Sequence, residues 1–235
     1  MANPYFQFKQ FTVWHDCCAM KVGTDAVLLG SWMPVNGASR MLDVGCGCGL
    51  IALMAAQRNE QSRIVAVEID GEAASQAKEN VEKSPWSNRI DVVNTDIRTF
   101  QTEEKFDYIF SNPPYFVNSL KCPDKQRSIA RHTDSLDFET LMQCIASLLK
   151  EDGEFSVVVP MEAIMSLKAA AISHKLYLSR ETHVYTKPSA PAKRALLSFS
   201  PTMPKDTILP KQLVMHTHHR EYTKEYENMV KDFYL

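Results

Sequence analysis

A glycine-rich turn between an apolar run and a helix-forming run is the feature that most limits how this chain can fold. The turn is Asp43-Val-Gly45-Cys-Gly47-Cys-Gly49; it follows Met41-Leu42 and precedes Leu50 to Ala56, a run without a helix breaker. A strand, a tight turn and a helix N-terminus in this order are typical of nucleotide-binding α/β sheets. Dinucleotide-binding sheets carry G-x-G-x-x-G, whereas here the third glycine comes at the fifth position. The turn therefore predicts a nucleoside-containing cofactor other than NAD.

Acidic residues follow the next two apolar runs. Glu68 closes the run 64–67, and a carboxylate there suits hydrogen bonds from ribose hydroxyls. Asp96 follows the run 90–93 and could accept a hydrogen bond from an adenine amino group. A structural role is the alternative, because Glu68 and Asp70 are also compatible with solvation or with capping the helix that begins near Glu72.

The tetrapeptide Asn112-Pro113-Pro114-Tyr115 says most about the chemistry of the chain. A planar amino group such as the N6 of adenine is a weak nucleophile, because its lone pair is delocalised into the ring. The Asn112 side-chain oxygen and the Pro113 carbonyl could each accept one N–H and hold the nitrogen in line with a methyl donor. Tyr115 supplies a flat face for stacking the base, and the two prolines stiffen the loop. An ordinary strand-ending turn is the alternative.

Apolar runs that alternate with helix-forming runs predict a mostly parallel sheet with helices on both faces. Seven strands are predicted, at residues 40–45, 63–68, 89–94, 106–111, 154–159, 177–185 and 194–200, with helices near 25–33, 48–58, 71–83, 137–150 and 161–173. The last two strands predict an antiparallel hairpin at the sheet edge. Three prolines then mark a loop before a terminal helix near 221–233. Its apolar stripe is expected to dock on the core; the stripe consists of Tyr222, Tyr226, Met229 and Phe233.

Length and composition agree with one enzyme domain. A chain of 235 residues with 45% hydrophobic content can bury a full α/β core. We expect a single domain over 1–235, with an N-terminal hairpin and helix extension at 1–39, a catalytic core at 40–200 and a C-terminal loop and docked helix at 201–235. No stretch approaches the roughly 18 apolar residues of a membrane span, and the first residues lack a signal-peptide pattern. The expected protein is soluble and cytoplasmic.

The cysteines predict reduced thiols, since they form no C-x-x-C pair and no metal-ligand spacing. They are Cys17, Cys18, Cys46, Cys48, Cys122 and Cys144. Cys46 and Cys48 flank Gly47, where a small side chain fits, and a redox role there is the weaker alternative. The cluster His216-x-His218-His219 has no cysteine or carboxylate at ligand spacing, so a polar loop is expected and no metal site.

Together these motifs resemble the class I S-adenosylmethionine-dependent methyltransferases that act on planar nitrogen. Three further stretches, Phe6–Phe11, Met20–Trp32 and Arg127-x-x-Ala130-Arg131-His132, narrow the resemblance to bacterial tRNA (adenine-N6) methyltransferases that modify adenine 37 beside the anticodon of a valine tRNA. The resemblance covers essentially the whole chain. It implies a Rossmann-like class I methyltransferase fold, S-adenosyl-L-methionine as cofactor and tRNA as partner. We also expect a monomer.

The resemblance implies roles for individual residues. The implied catalytic residues are Asn112, Pro113, Pro114 and Tyr115, and the implied cofactor-binding residues are Thr24, Asp43, Gly45, Gly47, Gly49, Glu68, Ile69, Asp96, Ile97 and Asn112. The glycines bring the backbone against the methionine part of the cofactor, Glu68 holds the ribose, and Asp96 receives the adenine. Thr24 closes over the methionine end, with Lys21 as a further contact. A capped core helix is the alternative for segment 21–30.

RNA binding requires a local concentration of positive charge, because the formal net charge of the chain is only −2. The candidate RNA-binding residues are Lys121, Lys125, Arg127, Arg131, His132, Lys193 and Arg194. The first five follow the catalytic loop, and the last two, with Lys187 nearby, border the predicted edge hairpin. Solvated loop charges or, for Arg131, an internal ion pair are the alternatives.

Other functions share parts of this pattern. Enzymes that methylate the glutamine of translation release factors also use N-P-P-Y, but they usually carry a larger helical N-terminal domain. DNA adenine methyltransferases normally add a large target-recognition region, for which this chain has no room. A non-catalytic nucleotide-binding or RNA-binding module with a relic site is a third alternative, and the intact Asn112–Tyr115 loop argues against it.

Overall fold

The computed structural model describes residues 3–113, 136–219 and 221–235. The strands are β1 (Tyr5–Gln7), β2 (Thr12–Trp14), β3 (Arg40–Val44), β4 (Arg63–Glu68), β5 (Ile90–Asn94), β6 (Phe106–Ser111), β7 (Leu149–Pro160), β8 (Tyr177–Tyr185), β9 (Ala192–Ser200) and β10 (Lys211–Val214). The helices are α1 (Thr24–Trp32), α2 (Leu50–Arg58), α3 (Gly71–Glu82), α4 (Phe138–Leu148), α5 (Ile164–Ser173) and α6 (Lys224–Val230), and a short 3-10 turn covers Met161–Ala163.

The main sheet has eight strands in the order β10-β8-β9-β7-β6-β3-β4-β5. Strand β9 runs antiparallel to both of its neighbours, and the other neighbouring pairs are parallel. The chain moves outward from β3 to β4 and β5, then returns to the other side of β3 with β6. This order confirms the predicted α/β fold and its mostly parallel sheet.

The sheet separates two hydrophobic clusters, because neighbouring residues of a strand point to opposite faces. In β3, Met41 belongs to one cluster and Leu42 to the other. In β6, Phe110 belongs to the first and Ile109 to the second. Helices α1, α2, α3 and α6 contribute to the first cluster, and α4 and α5 contribute to the second. Helices therefore cover both faces, as the continuous apolar runs of the strands require.

The N-terminal residues form the predicted hairpin, which is separate from the main sheet. Strands β1 and β2 pair antiparallel, and Phe8 and Phe11 in their connection stack with ring centroids 4.7 Å apart. Both rings are buried in the first cluster. The backbone N–H of Lys9 donates to the carbonyl of Phe233, so the hairpin also contacts the C-terminus.

The predicted strand count was one too low. All seven predicted strands are present, and β10 adds an eighth by pairing in parallel with β8, with Leu213 opposite Val184. The β8–β9 pair is antiparallel as predicted, but β10 covers its outer side, so the prediction that this hairpin lies at the sheet edge was wrong. Four residues after a proline give too short a pattern to predict a strand, and the pairing partner supplies the stability.

The terminal helix is shorter than predicted, since it covers Lys224–Val230 only. Thr223 caps its start by accepting a hydrogen bond from the Tyr226 N–H at 3.2 Å, and Tyr222 instead forms an isolated bridge with His216. Tyr226 and Phe233 are buried and Met229 packs against them, which confirms docking for these three residues. Tyr222 is 48% exposed, so its predicted docking was wrong.

No helix in the described part of the chain combines the length and the apolar character needed to cross a membrane.

Candidate functional site

A candidate site lies where the strand order reverses. Strands β3 and β6 are neighbours, and Val44 at the end of β3 is paired with Ser111 at the end of β6. The Ser111 hydroxyl donates to the Val44 carbonyl at 2.8 Å. The glycine turn leaves β3 at this point and Asn112 leaves β6, about 4.8 Å away across the sheet. Ligands of open α/β sheets bind at such a reversal, outside the carboxyl ends of the strands.

The three glycines shape the turn through their backbone angles. Gly45, Gly47 and Gly49 have φ of 69°, 54° and 80°, in the left-handed region that side chains other than glycine disfavour. A Cβ added at Gly45 or Gly47 would meet no atom of the described residues within 4 Å. Within the described part of the chain, no side chain therefore fills the space beside these two residues, which leaves their backbone open to a ligand.

Asp43 supports the turn from below. Its Oδ2 accepts a hydrogen bond from the Ala52 N–H at 3.1 Å, which fixes the first turn of α2. The side chain is fully buried, and burial raises the pKa of this carboxyl to about 8. Its Oδ1 has no hydrogen-bond partner among the described residues. These contacts join the end of β3 to α2, and the role of Asp43 at the cofactor stays a prediction.

Glu68 ends β4 and contacts the glycine turn directly. Its Oε2 accepts from the Gly47 N–H at 2.8 Å, and its Oε1 accepts from the Asp70 N–H at 3.0 Å. Glu68 is 9% exposed, so the solvated alternative does not hold for it. Asp70 caps α3 by accepting from the Ala73 N–H at 2.8 Å, as its structural alternative predicted. A carboxylate has about four acceptor positions, so Glu68 retains capacity for a ligand hydroxyl.

Three residues of the predicted cofactor set, Ile69, Asp96 and Ile97, lie beyond β4 and β5. Ile69 follows Glu68 and is 61% exposed, which offers an apolar surface at the sheet edge. Ile97 is buried beneath this edge. The Asp96 carboxylate accepts hydrogen bonds from Arg98 Nε at 3.0 and 2.8 Å, and this contact lowers the pKa of Asp96. Arg98 is a neighbour that the sequence did not predict for this part of the site.

Thr24 is exposed at the start of α1, the position predicted for it. Lys21 is also exposed, in the segment that leads into this helix. The next residue, Asp25, accepts a hydrogen bond from Arg194 Nε at 2.7 Å, which joins α1 to the start of β9.

The comparisons with known proteins decide the family. Residues 17–171 match the family described as methyltransferase small domain. The chain is 52% identical to the tRNA1(Val) (adenine(37)-N6)-methyltransferase of Bacteroides thetaiotaomicron, with 100% of this chain and 99% of that protein covered. The protein of the same name from Escherichia coli O157:H7 is 45% identical over 98% of this chain and 94% of its own length. The chain belongs to this methyltransferase family.

Solved structures agree on the fold. A predicted O-methyltransferase from Agrobacterium tumefaciens superimposes with a TM-score of 0.72 at 20% identity, covering 89% of this chain and 96% of that one. A ribosomal protein L11 methylase from Lactobacillus delbrueckii subsp. bulgaricus gives a TM-score of 0.53 at 18% identity, covering 74% of this chain and 76% of that one. The class I methyltransferase fold that the family resemblance implied is confirmed.

Part of the motif of this family lies outside the described residues. Asn112 directly follows β6 and Pro113 is buried. Pro114 and Tyr115 lie outside the described residues, as do five of the candidate RNA-binding residues, namely Lys121, Lys125, Arg127, Arg131 and His132. Lys193 is exposed, and Arg194 is engaged by Asp25. The roles of all these residues in catalysis and RNA binding stay predictions.

The described cysteines, Cys17, Cys18, Cys46, Cys48 and Cys144, are free thiols, as predicted. Burial raises the pKa of Cys46, which keeps this thiol protonated and unreactive. Within residues 3–113, 136–219 and 221–235, no group of three or more His, Cys, Asp or Glu side chains is placed to hold a metal ion.

Two polar residues of α3 that sequence reasoning missed also touch this site. Gln76 and Asn80 lie on the buried side of the helix and bond to the N-terminal segment, and Asn80 also bonds to the glycine turn. The only signal in the sequence is that they interrupt the small apolar stripe of Ala73, Ala77 and Val81 at helical spacing. Their partners are too distant in sequence for that signal to reveal.

Proposed function

We propose that this protein transfers a methyl group from S-adenosyl-L-methionine to the exocyclic N6 of an adenine in tRNA. The observation that carries the proposal is the placement of Asn112-Pro113 beside the glycine turn, at the reversal of the strand order. Full-length relatives named as tRNA adenine-N6 methyltransferases support the same activity.

The described residues fit the cofactor. The space beside Gly45 and Gly47 accommodates the methionine part, since no side chain of the described residues obstructs the backbone there. Glu68 has acceptor capacity left for the ribose, and exposed Ile69 offers an apolar surface for the adenine ring. Asp96 would bind the adenine amino group alongside its contact with Arg98. When bound, the cofactor supplies an electrophilic methyl group attached to a sulfonium.

The chain contributes orientation rather than a strong base. Asn112 Oδ1 and the Pro113 carbonyl each accept one hydrogen of the target amine, which directs the nitrogen lone pair at the methyl group. Such acceptors stabilise the positive charge that develops on the nitrogen as the nitrogen–methyl bond forms and the sulfonium–methyl bond breaks. The methylated nitrogen then releases one proton to solvent and becomes neutral, so the chain need not supply a strong base. Tyr115 stacks on the target base once the base has left the RNA stack, a step that costs a few kcal/mol.

The finer substrate proposal is adenine 37 of a valine tRNA, on the basis of the names of the relatives. For this tRNA-modifying activity we propose a cytoplasmic location. We assign the RNA path to the basic residues between Lys121 and His132, to the carboxyl ends of β7 and β8 and to the adjoining amino end of β9. Exposed Lys187 and Lys193 lie at these ends, on the same edge of the sheet as Asn112. Arg194 extends this surface while it holds Asp25.

Methylation of unmodified total tRNA with labelled cofactor tests the proposal. We expect label in N6-methyladenosine after digestion to nucleosides, and mapping of that nucleoside to one tRNA species. A translation release factor, offered in a parallel reaction, should remain unlabelled. Label in a protein glutamine instead of RNA would replace the proposal with the glutamine methyltransferase alternative, and no transfer to either substrate would contradict it.

A further inference from the structure

Helix α3 carries two buried amide side chains one turn apart. Burying such polar groups destabilises the folded protein unless their polar atoms form hydrogen bonds. Asn80 is 1% exposed and Gln76 is 7% exposed. Both face away from solvent toward the N-terminal segment and the glycine turn. Their hydrogen bonds therefore identify what the two residues do.

Asn80 joins two separate parts of the chain. Its Nδ2 donates to the Trp14 carbonyl at 2.8 Å and to the Cys48 carbonyl at 2.9 Å, and its Oδ1 accepts from the Trp14 N–H at 2.9 Å. Both amide hydrogens and the oxygen are thus used. Trp14 ends β2, and Cys48 lies within the glycine turn. One side chain fixes the distance between the N-terminal hairpin and the turn.

Gln76 fastens the residues that follow Trp14. Its Oε1 accepts from the Cys17 N–H at 3.1 Å and from the Cys18 thiol at 3.2 Å, and its Nε2 donates to Asp16 Oδ1 at 2.6 Å. With Asn80, it holds Trp14 to Cys18 along α3. The chain then leads to Thr24 at the start of α1.

The same side of α3 also supports the turn by packing. A Cβ built at Gly49 would lie 3.4 Å from the Cβ of Ala77, the residue between Gln76 and Asn80 on this face. Helix α3 therefore packs against Gly49 through Ala77 and is hydrogen-bonded to the Cys48 carbonyl through Asn80. The glycine turn and segment 14–24 have a common support.

We infer that Gln76 and Asn80 are positioning residues for the cofactor, because they hold the glycine turn and the N-terminal segment 14–24 at the separation that encloses its methionine end. The inference rests on the proposed function, which supplies S-adenosyl-L-methionine as the ligand. Neither residue touches the reacting atoms. Their loss should therefore change cofactor affinity and leave the chemical step at saturating cofactor unchanged.

The substitution Asn80→Asp tests this role with almost no change of shape. It replaces the donating NH2 group with an oxygen that would face the carbonyls of Trp14 and Cys48. A matched control is Asn59→Asp, because Asn59 Nδ2 also donates to two carbonyls, those of Val35 and Ala38, at the opposite end of α2. Both variants lose the same kind of contact, but only one lies beside the turn.

We expect the dissociation constant for S-adenosylmethionine, measured by calorimetry, to rise at least about tenfold in Asn80→Asp and less than about twofold in Asn59→Asp. Single-turnover transfer to tRNA at saturating cofactor should retain the wild-type rate in both. Thermal unfolding gives the loss of stability of each variant, so an affinity loss confined to Asn80→Asp is separated from general destabilisation.

A second pair of substitutions decides the outcome if Asn80→Asp does not fold. Gln76→Glu places two carboxylates together at Asp16 and should weaken cofactor binding. Adding Asp16→Asn restores a donor and an acceptor in reversed positions and should recover the affinity. Wild-type affinity in folded Asn80→Asp or Gln76→Glu would overturn the inference alone. A wild-type protein that binds no S-adenosylmethionine would overturn the proposed function and this inference with it.

Discussion

The side chain of Glu68 makes a contact that its sequence pattern did not predict. The sequence predicted a carboxylate at the end of the second core strand, and the structure places its Oε2 on the Gly47 N–H. The same group therefore stabilises the glycine turn and remains available for a ribose hydroxyl. The contact with Gly47 could not be predicted, because it depends on how the turn folds back over β4.

For Glu68→Ala we expect cofactor binding weaker by about 1.5–3 kcal/mol, the scale of charge-assisted hydrogen bonds that are lost. Calorimetry on the folded variant measures this change. Glu72→Ala removes an exposed carboxylate from the first turn of α3 and serves as the control, with affinity unchanged. Equal affinities in the wild type and Glu68→Ala would remove Glu68 from the site.

Asp43 leads to a prediction about pH. Its pKa is about 8 in the folded protein, because the carboxyl is buried, against about 3.9 in an unfolded chain. Between these values the folded state binds more protons than the unfolded state, so this residue lowers the free energy of unfolding as pH rises from about 4 to about 8. Asp43→Asn lacks this titration and keeps an oxygen for the Ala52 N–H.

Denaturant unfolding of this variant and the wild type at pH 5 and pH 8 tests the prediction. The variant should gain stability relative to the wild type at the higher pH. A stability difference that does not change with pH would show that Asp43 titrates normally.

At the scale of elements, the sequence predicted best where apolar periodicity was long. The core strands and helices of the α/β unit are present with boundaries close to those predicted, because each buries a continuous apolar run. The exception is β7, which was predicted at 154–159 but begins at Leu149, because Leu149 pairs with Phe106 across an irregularity in the register. The terminal helix and β10 were mispredicted for the opposite reason. Both are short, and their limits depend on partners such as β8 and the Thr223 cap. Gln76 and Asn80 were not predicted for the same reason, because their hydrogen-bond partners lie in segments that are distant in the sequence.

Strand β10 should contribute to stability through its one buried side chain. Leu213 is 3% exposed and lies opposite Val184. Leu213→Ala should lower the free energy of unfolding by about 2–3 kcal/mol, in the lower part of the range for buried leucines. Leu209→Ala is the matched control, because Leu209 is 77% exposed, just before the strand. Denaturant titration of both variants measures the difference, and equal stabilities would show that β10 does not anchor the C-terminal region.

At the scale of the whole molecule, the near-neutral charge requires that RNA meets a restricted surface. Lys187 and Lys193 lie at the same edge of the sheet as the candidate site, whereas Arg63 and Lys105 lie at the amino ends of β4 and β6. Neutralising the first pair to Gln should weaken tRNA binding and flatten the dependence of log affinity on log salt by about 1.5 units if both contact phosphates. Cofactor affinity should stay unchanged.

The same neutralisation of Arg63 and Lys105 removes equal charge from the opposite edge and is the control for net charge. Binding titrations compare three proteins, the two double variants and the wild type, each with tRNA and with the cofactor alone. The comparison separates a local contact from a general electrostatic effect. A salt slope that changes equally in both double variants would place the RNA path elsewhere.

The central claim is that the residues after β6 perform methyl transfer to an amine held beside the cofactor turn. Single-turnover kinetics of Asn112→Ala on unmodified tRNA, with cofactor affinity measured on the same preparation, tests it most directly. We predict that the variant retains most of its cofactor affinity and transfers the methyl group about a hundredfold or more slowly, as when one preorganised polar group is removed from an active site. A wild-type rate of transfer in Asn112→Ala would contradict the account.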